Sequence, residues 1–176
     1  GLRSIPNLKV FRPCDGKETV AAYISAFMQN SPTVLVLSRQ NLNQNKESGI
    51  KALAGGYILD DCKGKPDVML ISSGSEVDLC TAAKADLQAE GYKVRVVSMP
   101  CMEEFEKQTP EYKEHVLPCA VKARVCVEAA SHFSWHRYAR DYGEVIAMKT
   151  FGTSAPAKTV FEYFGFTKEK VTEKAK

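Results

Sequence analysis

The sequence has no C-x-x-C pair, no dense block of one charge sign, and no apolar run approaching the ~20 residues that cross a bilayer. Its six cysteines, Cys14, Cys62, Cys80, Cys101, Cys119 and Cys126, are scattered singly. That argues against a zinc ribbon or disulfide framework and for reduced, mostly buried thiols of an intracellular protein. A chain of 176 residues can bury a core without such staples. The 24 Lys plus Arg against 21 Asp plus Glu leave a net charge of only +3. The one basic stretch, Lys168 to Lys176, interleaves Glu169 and Glu173 as a solvated helix face does, so nucleic acid is not an expected partner. Internal repeats and low-complexity tracts are lacking too, and 44% hydrophobic with 26% charged residues excludes overall disorder. The first residues lack the apolar stretch of a secretory leader. A cytoplasmic protein without a membrane partner is expected, with an organelle such as a glycosome or peroxisome still open.

What is present reads as alternating helices and strands. Asp15 and Glu18 form an acidic capping box ahead of Val20, Tyr23, Ile24, Phe27 and Met28, whose spacing predicts an amphipathic helix ending near Asn30. Val34 to Leu37 reads as a strand covered on both faces, with Ser38-Arg39-Gln40-Asn41 at its C-terminal end. Residues 42–66 are polar and glycine-punctuated, a linker carrying one short strand around Tyr57-Ile58-Leu59. From Asp67 the pattern restarts with a buried strand, Val68 to Ile71, and a turn, Ser72 to Gly74. A helix from Glu76 to Glu90 follows, closed by Gly91, with Ser73 and Glu76 as a second capping pair. Val94 to Met99, Arg124 to Val127 and Val145 to Met148 are further strands, with two short helical segments after Pro100. A helix near Pro156 to Phe164 stops at Gly165, and Thr167 opens the last one. This order predicts right-handed crossovers and an α/β fold of three layers: a mainly parallel or mixed sheet with helices on both faces, preceded by a partial α/β unit.

Few residues suggest chemistry by themselves. Ser73, Gly74 and Ser75 lie between a strand and a helix, where free N–H groups and the helix dipole favour an anion. The turn lacks the full glycine fingerprint and the P-loop lysine, and small residues serve plain packing there equally well. Glu128, His132 and His136 are spaced like a metal-binding row, but Glu128 finishes a strand, so one helix face is not expected and no metal is assigned. His115 stands alone and reads as a surface histidine. No nucleophile–base arrangement is recognisable from spacing, and no catalytic residue is assigned. Arg39 follows a strand end, where open α/β sheets gather ligands and a guanidinium can grip a phosphate by two parallel hydrogen bonds. From pattern alone, a surface or interface salt bridge explains it as well.

Longer motifs carry a resemblance. Phe11-Arg12-Pro13-Cys14-Asp15-Gly16-x-Glu18 and Pro32-Thr33-x-Leu35-x-Leu37-Ser38-Arg39-Gln40-Asn41-Leu42 are similar to the end of the pyrimidine-binding domain of transketolases. Gly55-Gly56-Tyr57, Gly74-Ser75-Glu76, Val94-Arg95-Val96-Val97-Ser98-Met99-Pro100, Val127-Glu128-Ala129, Gly152-x-Ser154-Ala155-Pro156-Ala157 and Phe164-Gly165-Phe166-Thr167 resemble the C-terminal domain of that family. The likeness covers essentially the whole chain and implies residues 1–54 as the tail of the first domain and 55–176 as the second. It implies transfer of a two-carbon ketol unit from a ketose phosphate to an aldose phosphate, as in the pentose phosphate pathway. The implied enzyme is a homodimer with thiamin diphosphate and Mg2+ or Ca2+ at a site between subunits. It further implies that Arg39 binds the substrate phosphate. The G-D-G segment, the activating glutamate and the substrate-binding histidine of the family have no counterparts here. The chain is therefore expected to be a fragment that binds no cofactor and is inactive alone, its partners being sugar phosphates, the rest of the enzyme chain and a second subunit. A free-standing interaction or regulatory domain, or part of a related enzyme such as dihydroxyacetone synthase, are the alternatives.

Overall fold

The computed structural model describes residues 1–176. After a 3-10 turn at Leu2–Ser4 come β1 (Lys9–Phe11), α1 (Gly16–Met28) and β2 (Thr33–Leu35). The two strands pair in parallel, Lys9 opposite Thr33 and Phe11 opposite Leu35. Asp15 caps α1 as the sequence predicts, its side chain accepting from the Glu18 N–H at 2.9 Å. Glu18 answers one residue upstream, accepting from the Cys14 N–H at 2.7 Å.

Two expectations for this unit fail. α1 buries its small-residue side, Ala21, Ala22 and Ser25, together with Glu18, while Val20, Tyr23, Phe27 and Met28 stay exposed. Helical spacing identifies an apolar stripe but not which side the available neighbour takes, and here the neighbour is the second unit, reached through the alanines. β2 is half-buried, not covered on both faces, and Val36 and Leu37 beyond it are exposed. It has only β1 beside it, so one edge and much of one face lack a cover.

The polar stretch 42–66 holds more structure than a linker. A 3-10 helix, Ile50–Ala54, precedes the short strand β3 (Tyr57–Asp60). Gly55 ends that helix at φ 80°, with the position of a Cβ only 2.2 Å from the Phe105 nitrogen. Only glycine satisfies both the left-handed backbone and this close approach.

The second unit then runs β4 (Val68–Ser72), α2 (Glu76–Ala89), β5 (Val94–Ser98), α3 (Met102–Glu106), α4 (Pro110–Val116) and β6 (Ala123–Ser131). It ends with α5 (His136–Ala139), β7 (Glu144–Met148), α6 (Ala157–Phe164) and α7 (Lys168–Ala175). The strands order as β3-β5-β4-β6-β7, all neighbours parallel except β3 with β5. This is the mixed, mainly parallel sheet that the element order predicts. The pleat sends alternate residues to opposite faces. Val68, Leu70, Val94, Val96, Val125 and Val127 meet α2 and α7 through Val77, Cys80, Leu87 and Val171. Met69, Ile71, Val97 and Cys126 meet Phe105, Val116, Trp135 and Tyr138 on the other side. Each fully buried Val, Leu or Ile contributes roughly 1.5–3 kcal/mol, against about 1 kcal/mol for a helix cap, so the two packed faces dominate the stability of this fold. Gly91 and Gly165 have the positive φ expected of helix stops, and Thr167 caps α7. All six cysteines are unpaired thiols, four of them buried, and no helix is long and apolar enough to cross a membrane.

Candidate functional site

β1 and α1 are joined by a tight turn, and three side chains of residues 12–18 leave it in different directions. Arg12 reaches the C-terminal tips of the central parallel strands. Its Nη1 donates to the Ser73 carbonyl at 2.6 Å and to Glu76 Oε2, and Glu128 Oε1 lies 3.9 Å away. Arg3 completes the cluster from the N-terminal segment, donating to both oxygens of Glu128 at 2.5 and 2.7 Å. Ser73 Oγ and Trp135 Nε1 each donate to Glu128 as well, at 2.6 and 2.7 Å. Glu76 also accepts from Ser75 Oγ at 2.6 Å and from the Ala129 N–H at 3.0 Å. Both glutamates are fully buried. Burial alone would push the Glu128 carboxyl up, but the Arg3 pair, the Arg12 charge and the Ser73 hydroxyl together hold it below the ordinary carboxylate range.

This cluster occupies the crevice where open α/β sheets usually receive ligands. Of the donors of the Ser73–Ser75 turn, both hydroxyls serve carboxylates and the Gly74 N–H donates to the Arg12 carbonyl at 2.9 Å. Ser73 does not cap α2, whose N-cap residue Ser75 makes no capping bond. The second capping box read from the sequence is thus replaced by a tertiary contact to Glu128.

Glu18 points to the other side of the turn. Its Oε1 accepts from Tyr57 Oη at 2.8 Å and Ser98 Oγ at 2.6 Å, tying α1 to β3 and β5. No cation offsets its complete burial, so its carboxyl is raised above the usual range despite the Ser98, Cys14 and Tyr57 hydrogen bonds, which oppose the shift. Asp15 faces the third neighbour, the loop after β2. Besides capping α1, it accepts from the Asn45 N–H at 2.9 Å and Ser48 Oγ at 2.5 Å. Lys17 Nζ donates to the carbonyls of Asn45 and Lys46 at 3.1 and 3.0 Å.

That loop carries Arg39, which is exposed in a bend four residues beyond the end of β2. The arginines that pair with carboxylates within this chain are Arg3, Arg12, Arg95 and Arg137, so Arg39 forms no surface salt bridge of the chain's own. Beside the bend, a cleft of about 420 Å3 separates the loop from the start of α1 and is lined mainly by polar groups, including Asp15, Thr19, Ser38, Gln40, Asn41 and Gln44.

The structure separates the Glu128-His132-His136 row. Glu128 turns inward to Arg3, while His132 Nδ1 and His136 Nε2 face each other at 2.8 Å on the surface. No three His, Cys, Asp or Glu groups of the chain gather at metal-binding distance. Arg3, Arg12, Glu18 and Glu128 were not identified as a network by sequence reasoning. Only the Asp15–Glu18 spacing signals part of it, because cap geometry is local whereas the partners of the arginines lie more than 50 residues away.

Residues 55–167 match the family model described as the transketolase-like C-terminal domain, and residues 1–45 match the transketolase pyrimidine-binding domain. Transketolase 1 of Escherichia coli is 49% identical over 179 residues, covering 99% of this chain and 27% of that protein. A transketolase of Nostoc is 48% identical with the same coverage. Among solved structures, the Pichia stipitis transketolase in complex with sedoheptulose 7-phosphate superposes with a TM-score of 0.91 at 42% identity, over 98% of this chain and 25% of that one. The Leishmania mexicana transketolase gives 0.90 at 40%, over 99% and 26%. The chain thus spans about a quarter of the length of the relatives it matches.

Proposed function

Because this chain belongs to the transketolase family, we propose that it serves an enzyme that moves a two-carbon ketol unit from a ketose phosphate to an aldose phosphate. In that reaction the carbon–carbon bond beside the donor carbonyl breaks, and a new one forms at the acceptor aldehyde. Arg39 is the residue assigned to the substrate, holding its phosphate through two charge-assisted hydrogen bonds. The observation that carries this is an unpaired, exposed guanidinium beside a polar cleft, on a loop held in place by the Asp15 carboxylate. A guanidinium already tied to a carboxylate would have little to offer an incoming anion.

Residues 1–54 and 55–176 are proposed as the tail of one domain and the whole of the next. The reaction is proposed as that of the pentose phosphate pathway, carried out by a homodimer with thiamin diphosphate and Mg2+ or Ca2+. The coenzyme supplies the means of stabilising the transferred unit while it is between sugars. These residues do not fit that group: no cluster of ligands for a divalent ion exists among them, so the ion and diphosphate are assigned to other parts of the enzyme. The uncovered stripe Val20, Tyr23, Phe27 and Met28 suits contact with those parts, and the chain by itself is expected to give no ketol transfer.

The test is Arg39→Ala in the intact enzyme. KM should rise strongly for phosphorylated sugars and little for hydroxypyruvate, an unphosphorylated donor. Equal losses for both would assign Arg39 a structural role and overturn the reading.

A further inference from the structure

We infer that Asp15 is a positioning residue for Arg39, and that through it the C-terminal sheet sets where the substrate phosphate is held. This rests on the reading of Arg39 as the phosphate ligand. The loop from Ser38 to Ser48 has no helix or strand of its own and is largely exposed, so a few contacts must define its shape. Its near end leaves β2, which is paired to β1. Its far end is held by the buried Asp15 carboxylate, which binds Asn45 N at 2.9 Å and Ser48 Oγ at 2.5 Å while its other oxygen caps α1. Lys17, two residues on in the first turn of the same helix, closes over the adjacent carbonyls.

Both anchors of the loop, β1 and the start of α1, meet in the turn that Arg12 fixes to the tips of β4 and β6 and Glu18 fixes to β3 and β5. A continuous path of buried and part-buried polar contacts therefore runs from the C-terminal sheet through residues 12–18 to the loop bearing Arg39. Asp15 is the carboxylate of that path that reaches the loop; Lys17 and the Cys14 thiol touch Asn45 beside it, and Asn43 donates to Asp78 of α2 at 3.1 Å from the exposed side. Misplacing a binding group by about 1 Å can cost as much as 100-fold in rate, so a residue that fixes the loop without touching the substrate can still govern recognition of the phosphate.

The experiment uses the intact enzyme, with KM and kcat measured for a ketose phosphate and for hydroxypyruvate. Asp15→Asn turns an amide NH2 toward two donors, and Ser48→Ala removes the hydroxyl that reaches Asp15 and the Asn45 carbonyl while leaving the cap intact. The KM for the phosphorylated donor should rise roughly tenfold in the first variant and about threefold in the second, with hydroxypyruvate values within about twofold. Ser48→Thr should restore the native value. In an Arg39→Ala background, Asp15→Asn should add no further discrimination between the donors, since residues acting as a unit are non-additive. Parallel loss for both donors, no loss for either, or additivity with Arg39→Ala would overturn the inference while leaving the role of Arg39 standing. If Arg39→Ala shows no phosphate selectivity, both fall. Should Asp15→Asn fail to fold, the Ser48 pair decides.

Discussion

Replacing Arg12 by alanine should destabilise the chain far more than the loss of an ordinary half-exposed arginine. The guanidinium is 14% exposed and bonds Glu76, which is 0% exposed. Once it is gone, Glu76 keeps only the Ser75 hydroxyl and the Ala129 N–H, too little to compensate a carboxylate out of water. Glu128 suffers less because Arg3 holds both its oxygens. Removing one partner of a buried ion pair costs roughly 3–5 kcal/mol, mostly the penalty of the stranded charge. In a chain of this size each kcal/mol lowers Tm by about 2–4 °C, so a fall of roughly 6–20 °C is expected in a thermal melt. The mechanism is separable from lost packing by repeating the change in a Glu76→Gln background, where no carboxylate remains to be stranded. There Arg12→Ala should cost about half as much or less. Equal costs in both backgrounds would refute the argument from a stranded charge and assign the loss to packing of the arginine stem.

The pH dependence of Glu18 has the opposite sense to that of Glu128. With a folded pKa above its unfolded value, Glu18 retains its proton longer in the native state, so stability falls as pH rises through the interval between the two values. Urea unfolding of Glu18→Gln and the native chain should show the variant gaining relative stability from pH 4.5 upward; a constant difference would contradict the raised pKa. Phe27, on the uncovered stripe of α1, is 85% exposed. Phe27→Asp should leave the Tm of the isolated chain within about 2 °C, as surface substitutions change stability by roughly 0.5 kcal/mol or less, and should reduce any self-association seen by light scattering. A drop of several degrees would mean that the stripe is already packed.

Much of the architecture was legible because its determinants are local. Asp15, Gly91, Gly165 and Thr167 mark helix ends where the structure has them, and the valine-rich runs are the strands of the sheet. Ser73 and Glu76 have the same spacing as Asp15 and Glu18, yet only the latter pair caps a helix. Ser73 instead finds a stronger acceptor in Glu128, 55 residues away, and nothing in a three-residue pattern reports that competitor. The α1 stripe failed for a related reason: periodicity states which residues are apolar, while burial depends on which side a neighbour covers. Of the candidate site, the order of strand and then Arg39 could be read from the sequence, but the strand stops at Leu35, four residues before Arg39, and not at Leu37. The turn that anchors its loop could not, because Arg12, Asp15 and Glu18 each find their tertiary partner in a different part of the chain.

The most direct test of the account pairs Arg39→Ala with removal of the phosphate from one and the same donor sugar, comparing kcat/KM across the four combinations. A charged hydrogen-bonding contact worth about 1.5–3 kcal/mol predicts that the phosphate improves kcat/KM roughly 10- to 150-fold more in the native enzyme than in the variant. If the phosphate helps both enzymes equally, Arg39 does not hold it.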